Sequence, residues 1–144
     1  MRRTSELWQL AEREGIEVVW ETLRPGRVGL YLPRPGRSPV IVLDPWLERR
    51  ERWLRAALAH ELGHHFTATG GWLALAVGHP ALSRVCEAAA QRWALDYLLP
   101  WDEFAAFWNR FPSRHEAADH FYVPEACVEE RLRRMRSTRP VNQH

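Results

Sequence analysis

The chain has 144 residues and a formal net charge of +2, with 46% hydrophobic and 26% charged residues. These values are typical of one soluble globular domain, and the small net charge argues against a strongly basic nucleic-acid-binding protein. The first residues carry charge throughout and lack the apolar stretch of a signal peptide, and no apolar run reaches the roughly 20 residues of a membrane span. We therefore expect a cytoplasmic protein without a membrane segment.

The basic residues and the cysteines carry little functional information. All 20 basic residues are arginine, a usage typical of a GC-rich genome rather than of a phosphate-binding surface. Cys86 and Cys127 are far apart and match no C-x-x-C spacing. In a reducing cytoplasm we expect packed thiols rather than a disulfide.

The N-terminal part of the chain predicts one helix followed by three short strands. Residues 4–14 have the apolar spacing of an amphipathic helix, which Gly15 ends. Three runs rich in β-branched and aromatic residues follow, separated by Pro-Gly turn signals: IEVVWETL, VGLYLP and PVIVLD. Their regular spacing predicts a small antiparallel sheet of about three strands.

Helical periodicity begins at Pro45. We predict one long helix over residues 45–68 and a second over about 82–99, which Pro100 ends. Asp102 is expected to cap a short third helix.

Ser113 and Glu116 have the spacing of a capping box and open a closing segment over residues 114–136, which has helix-turn-helix proportions. We expect a single domain over residues 1–136, and a disordered tail over residues 137–144.

The most informative segment is the H-E-x-x-H motif of His60, Glu61 and His64. On a helix, residues i and i+4 lie about 40° apart around the axis, so both imidazoles project from one face and can bind one metal ion. Glu61 stands about 100° from His60, where a carboxylate can take a proton from a metal-bound water. Zinc suits these ligands, although manganese and iron accept them too.

The alternative interpretation of this motif is a surface helix with solvated side chains. The motif lies in a strongly apolar helical stretch, and burying two histidines and a glutamate without a metal would be costly. Gly63 costs about 1 kcal/mol in a helix interior, which indicates that another segment approaches the backbone there. These features favour the metal site.

A catalytic zinc ion needs a third protein ligand and an open fourth position. Position 70 is glycine, so the longer motif with a third histidine is absent. Glu87 on the second long helix is the candidate. Small or short polar residues follow it on the same face and would let that helix pack closely: Ala90, Gln91 and Ala94. An exposed glutamate near a helix start, favoured by the macrodipole, is the alternative.

The two motifs together resemble the ImmA/IrrE family of metallopeptidases, in which an H-E-L-G-H helix precedes the pattern E-x-x-A-x-x-F-A-x-x-L-L-x-P. The matching positions are Glu87, Ala90, Trp93, Ala94, Tyr97, Leu98 and Pro100. The resemblance covers most of residues 16–135. Three departures concern packing rather than ligands: Ala56 replaces an aromatic residue, Trp93 replaces Phe and Tyr97 replaces Leu.

The resemblance implies an α+β, zincin-like minimal metallopeptidase, with the sheet packed against the active-site helix and the Glu-bearing helix. It implies one zinc ion per chain on His60, His64 and Glu87, with Glu61 as general base. It also implies cleavage of a protein substrate, typically a partner helix-turn-helix repressor of a phage or mobile element. The strand VIVLD is predicted to hold the extended substrate by edge pairing.

The residues that would stabilise the transition state stay open. His65, His79 and Tyr97 are candidates. Around the helix from Glu87, Tyr97 lies about 280° away and Asp96 about 180° away, so neither shares the ligand face.

Two other functions stay open. The closing segment could dock DNA or a regulator, but its second helix begins with acidic residues that would repel phosphates, so protein docking is favoured over nucleic acid. A zincin scaffold that binds metal without turnover is the other possibility.

Overall fold

A computed structural model of the protein describes residues 3–67 and 78–137. The elements are, in chain order, α1 (Thr4–Arg13), β1 (Glu17–Trp20), β2 (Gly29–Leu32), β3 (Val40–Leu43), a 3-10 turn (Pro45–Leu47), α2 (Glu51–Thr67), α3 (Pro80–Leu98), α4 (Trp101–Arg110), α5 (Arg114–Phe121) and α6 (Glu125–Ser137). The predicted α+β class is confirmed. Residues 138–144, nearly all of the tail predicted as disordered, lie outside the described residues. Within the described ranges, no helix has the length and apolarity to cross a membrane.

The sheet is mixed, and the prediction of an antiparallel sheet is wrong for one of its two strand pairs. The strand order is β1-β3-β2, with β1 parallel to β3 and β2 antiparallel to β3. All four residues of β3 are buried, and a continuously apolar strand belongs at the sheet centre. The 21–28 loop therefore spans roughly 10 Å, two strand spacings, to carry the chain from β1 past β3 to β2.

This strand order also shows that the prediction of substrate pairing with the strand VIVLD is wrong. VIVLD forms the central strand, and both of its edges pair within the sheet. An extended peptide cannot add to it. The outer edge of β2 pairs with no strand among the described residues, and β2 packs against α2.

Helix α2, which carries the H-E-x-x-H motif, begins later than predicted. Asp44 accepts a hydrogen bond from the backbone N–H of Trp46 at 2.8 Å and another from Leu23 at 2.9 Å. These bonds stabilise a 3-10 turn at Pro45–Leu47, and α2 begins only at Glu51. The chain thereby turns between β3 and α2 instead of running on as one helix.

The helix ends of the C-terminal half agree with the sequence at one position and differ at another. Pro100, rather than Asp102, occupies the N-cap of α4, and Asp102 lies in the first turn. Pro100 forms no side-chain capping hydrogen bond, and Asp102 still interacts favourably with the helix dipole from the first turn. The Ser113 side chain accepts from the Glu116 N–H at 3.2 Å, which confirms the predicted cap of α5.

The core places α2 between the sheet and α3. Leu58 and Leu62 of α2 are fully buried, as are Ile41 of β3 and Leu95 of α3. Burying a leucine or isoleucine side chain stabilises a fold by about 1.5–3 kcal/mol. Apolar packing against the sheet and against α3 therefore fixes α2, the helix that carries the H-E-x-x-H motif.

Cys86 and Cys127 are free thiols, and burial raises the pKa of Cys127 to about 12.

Candidate metal centre

The three predicted ligands come together between α2 and α3. His60 Nε2 lies 2.7 Å from Glu87 Oε2, and His64 Nε2 lies 3.1 Å from Glu87 Oε1. The potential ligand atoms of the three residues all lie within 4.8 Å of one another. The one-turn spacing of the histidines on α2 and the position of Glu87 on α3 thus create one cluster of two imidazoles and a carboxylate.

A glycine in α2 permits this approach of the two helices. A Cβ built on Gly63 would overlap the carbonyl group of Ala90, lying 2.9 Å from its carbon. Ala90 and Ala94 are buried at the same interface, with 0% and 1% exposure. The glycine that is unfavourable for helix formation is thus the residue that lets the α3 backbone approach α2.

The outer nitrogen of His60 is engaged in a way that suits metal binding. Its Nδ1 lies 2.7 Å from Gln91 Oε1, while the Gln91 Nε2 group donates to Glu130 at 2.9 Å. An amide oxygen accepts, so Nδ1 carries a proton, and Nε2 is the nitrogen that faces the cluster and would bind a metal ion once its own proton is lost. Two such nitrogens and one carboxylate fit a divalent transition metal, and zinc in particular.

The ionisation of the cluster reflects this proximity. Burial lowers the pKa of His60, but the hydrogen bond to Glu87 and the nearby Glu61 charge outweigh burial and raise that pKa to about 9. Hydrogen bonds from His60 and His64 lower the pKa of the Glu87 carboxyl. In the metal-free protein a proton therefore occupies the cluster where a cation would bind.

Glu61 lies beside the cluster. The hydrogen bonds to Glu87 come from His60 and His64, not from Glu61. Glu61 is 6% exposed, and burial raises the pKa of its carboxyl above the usual value. Gly29 at the start of β2 leaves room for it, since a Cβ there would lie 2.8 Å from Glu61 Oε2. The sheet and α2 thus enclose a carboxylate whose proton affinity is increased.

A cleft of about 340 Å³ opens in front of these groups. The turn before β2 forms one wall, while the α2 face and the first turns of α3 form the others. Its lining residues are Gly26, Arg27, Val28, Gly29, Ala57, His60, Glu61, Ser83 and Glu87. The positive charge of Arg27 acts on the Glu61 carboxyl, lowering its pKa against the effect of burial.

The three candidates for transition-state stabilisation lie elsewhere or make other contacts. His65 Nδ1 lies 2.8 Å from the Tyr31 hydroxyl and Nε2 lies 2.9 Å from Glu14, so both of its ring nitrogens are engaged. His79 is the exposed N-cap residue of α3. Tyr97 belongs to an aromatic stack described next.

The two departures on α3 from the family pattern build this stack. The rings of Phe66 and Trp93 stack at 5.0 Å, and those of Trp93 and Tyr97 at 5.4 Å. Asp96 pairs with the buried Arg131 at 2.7 Å. These contacts join α3 to α2 and to α6 outside the ligand cluster.

Sequence reasoning missed several residues around the cluster. The sequence places Gln91 on the same helix face as Glu87, and the contact of Gln91 with His60 agrees with that spacing. Gly29 and Arg27 follow a Pro-Gly turn signal, but no local pattern places them beside Glu61. Glu130 lies on α6, far along the chain, and no sequence signal connects it with Gln91.

Comparison with known proteins supports the same assignment. The fold is similar to that of a Mycobacterium tuberculosis transcriptional regulator, with a TM-score of 0.64 and 22% identity, over 92% of this chain and 42% of that chain. This chain thus spans less than half the length of that regulator. No curated protein matches it significantly. A family model, the IrrE N-terminal-like domain of peptidase M78, matches residues 11–133. The chain therefore belongs to the peptidase M78 family and is a metallopeptidase-like domain related to the IrrE/ImmA regulators.

Proposed function

We propose that this protein is a zinc-dependent peptidase that holds one zinc ion on His60, His64 and Glu87. The observation that carries the proposal is the convergence of two imidazole nitrogens and a carboxylate, with ligand atoms within 4.8 Å of one another. Two nitrogen ligands and one carboxylate, with a fourth position left open, are a common catalytic zinc set. Membership of a metallopeptidase family supports the same function.

Zinc bound to these residues would polarise the scissile carbonyl and lower the pKa of a coordinated water to about 7. We propose zinc before manganese or iron because imidazole ligands bind zinc well, although the same donor set accepts the other ions. Elemental analysis of the purified protein tests this choice. About one equivalent of zinc per chain is expected, and a different metal would change the assignment.

Glu61 is the proposed general base. Burial raises the pKa of its carboxyl, moving it toward the pH at which a base exchanges protons most effectively. The carboxylate lines the cleft beside His60. In the proposed reaction it accepts a proton from the attacking water and later delivers that proton to the nitrogen of the leaving amine.

The proposed substrate is a peptide in an extended conformation. The outer edge of β2 pairs with no described strand, and Gly29 at its start borders the Glu61 carboxylate. A peptide strand added to this edge would run along the cleft in front of His60. Main-chain hydrogen bonds would then supply affinity, with side-chain contacts supplying specificity.

A partner transcriptional repressor, of the helix-turn-helix type found in phages and mobile elements, is the proposed protein substrate. The relation to IrrE/ImmA regulators and the fold similarity to a transcriptional regulator support this proposal. We further propose that residues 1–136 form a single peptidase domain. Its closing segment, residues 114–136, would dock the partner.

The test combines metal analysis with cleavage assays on any helix-turn-helix repressor that is encoded beside the gene. Glu61→Gln is expected to retain one zinc per chain and to lose cleavage by at least about 100-fold, because only the proton acceptor is removed. Glu48→Gln, on the exposed turn before α2, is the matched control. Wild-type cleavage by Glu61→Gln would contradict the role of Glu61, and a metal-free wild-type protein would contradict the metal site.

The alternative is a metal-binding module that docks a DNA-binding regulator without cleaving it. The likeness of the fold to a protein described as a regulator favours this alternative. Wild type and Glu61→Gln would then act equally on the regulator and produce no fragments. Direct DNA binding is disfavoured, because the exposed Glu125 in the first turn of α6 would repel phosphates.

A further inference from the structure

A chain of hydrogen bonds links the last helix of the domain to His60. Gln91 stands in the middle, with its Oε1 2.7 Å from His60 Nδ1 and its Nε2 donating to Glu130 Oε2 at 2.9 Å. The other oxygen of Glu130 accepts from Arg134, one helical turn further along α6, at 3.4 Å. The Gln91 and Glu130 side chains are both partly buried. Solvent therefore competes only partly for these bonds.

The orientation of the Gln91 amide decides which nitrogen of His60 carries the proton. In the observed orientation the amide oxygen accepts from Nδ1–H, which leaves the Nε2 lone pair available. In the reversed orientation the amide nitrogen would donate to Nδ1. The proton of a neutral ring would then move to Nε2, and that nitrogen could not bind a metal ion.

Glu130 fixes this orientation. Its carboxylate is only an acceptor when ionised, so the Gln91 group that faces it must be the amide NH₂. Reversal would place the amide oxygen against the carboxylate, with no proton between the two acceptors. The unfavourable contact at Glu130 thus excludes the amide orientation that would disable His60.

We propose that Glu130 is a positioning residue for the metal. Through Gln91 it holds His60 in the tautomer that binds through Nε2, and so it makes the metal site depend on α6. This inference rests on the proposed zinc site, and it adds a residue 70 positions beyond His60 to the set that determines metal affinity. Groups that orient a metal-bound histidine typically contribute 10–100-fold to affinity.

The test measures zinc affinity of the full chain by competition with a chromophoric chelator. Glu130→Leu and Gln91→Leu are each expected to weaken zinc binding about 10–100-fold. Glu129→Leu is the matched control, because Glu129 is the adjacent acid on α6 and faces Arg114 at 3.7 Å instead of Gln91. Its affinity should equal that of the wild type.

A swapped pair tests the mechanism and guards against simple loss of folding. Gln91→Glu alone would set two carboxylates, at positions 91 and 130, against each other and should weaken zinc binding. In Gln91→Glu combined with Glu130→Gln, the amide at position 130 donates to the carboxylate at position 91, which accepts from His60 Nδ1–H. Zinc affinity should return to within about threefold of wild type, well inside the 10–100-fold loss of the leucine variants.

The tautomer of His60 gives a readout that a purely structural role of Glu130 would not change. In zinc-loaded protein labelled with ¹⁵N histidine, Nδ1–H of His60 should be observed in the wild type and the swap. In Glu130→Leu the Gln91 oxygen is no longer held against this proton, so the proton should exchange faster with solvent and its signal should weaken. Unchanged affinity and an unchanged Nδ1–H signal in that variant would overturn the proposal, as would an equal loss in Glu129→Leu. Absence of zinc binding by the wild type would instead overturn the metal site itself.

Discussion

Gly63 of α2 packs directly against the backbone of Ala90 of α3, where an added Cβ would lie 2.9 Å from the Ala90 carbonyl carbon. Gly63 immediately precedes His64, and Ala90 is one helical turn after Glu87. The contact therefore sets the separation at which the Glu87 carboxylate meets both imidazoles. The three-residue cluster therefore requires small residues at Gly63 of α2 and Ala90 of α3, where the two helices touch.

Gly63→Ala is expected to destabilise the protein and weaken zinc binding. Alanine gains about 1 kcal/mol over glycine in a helix interior, but forcing a methyl group into a packed interface typically costs about 1–3 kcal/mol. Here the obstacle is backbone, which cannot rotate away, so the helices must separate. Denaturant unfolding of the metal-free chain and chelator competition measure the two effects. Ala106→Gly in the exposed part of α4 calibrates the helix-propensity difference in this protein. A more stable Gly63→Ala protein with normal zinc affinity would contradict the prediction.

Gly29→Ala is expected to impair turnover while leaving the fold and the metal intact. The new Cβ would lie 2.8 Å from Glu61 Oε2, 3.1 Å from Cγ and 3.2 Å from Cδ. A side-chain end can move where a backbone cannot, so stability should change little while Glu61, the proposed general base, is displaced. We expect at least a tenfold loss of kcat, since misplacing a catalytic group by about 1 Å can cost 100-fold. Peptide-cleavage kinetics and zinc content test this prediction, and a normal kcat of the Gly29→Ala protein would refute it.

Zinc binding is expected to release a proton at neutral pH. With the pKa of His60 raised to about 9, its ring is protonated in the metal-free chain at pH 7.5 and must lose that proton to bind. Zinc affinity should therefore increase as pH rises and level off above about 9, changing by about tenfold per unit below that value. Titration calorimetry in two buffers of different ionisation enthalpy should give about one proton released from this ring. Identical heats in both buffers would contradict the prediction.

Arg27→Ala is expected to reduce turnover and to shift its pH dependence. Arg27 lines the cleft with Glu61, and its charge lowers the pKa of that carboxyl. Removing the charge should raise the pKa of Glu61, so the acidic limb of kcat/KM should move to higher pH. If a scissile carbonyl binds in this cleft, loss of the Arg27 cation should also lower kcat, as for other groups that stabilise developing negative charge. Arg24→Ala, exposed in the same loop, is the control. An unchanged pH profile in Arg27→Ala would count against this role.

The sequence by itself determined the parts of the site that one helix contains. The spacing of His60 and His64 places both on one face of any α-helix, and the same geometry puts Glu61 beside them. It also indicated that something approaches Gly63, because a glycine there is otherwise unfavourable. The two motifs together indicated the family, and the resemblance implied the α+β class; both are confirmed.

Only the tertiary structure decided which separate segments meet. Loop lengths do not specify which strands are neighbours. In the folded protein the apolar β3 lies at the centre of the sheet, and β2 is the edge strand beside the cleft. Likewise Glu87 is a plausible ligand in sequence, but its contact with both imidazoles depends on the packing of α3 against α2. The position of Glu130 behind Gln91 depends on where α6 docks. Local spacing is fixed by backbone geometry, whereas contacts between distant segments depend on how whole surfaces bury their apolar groups.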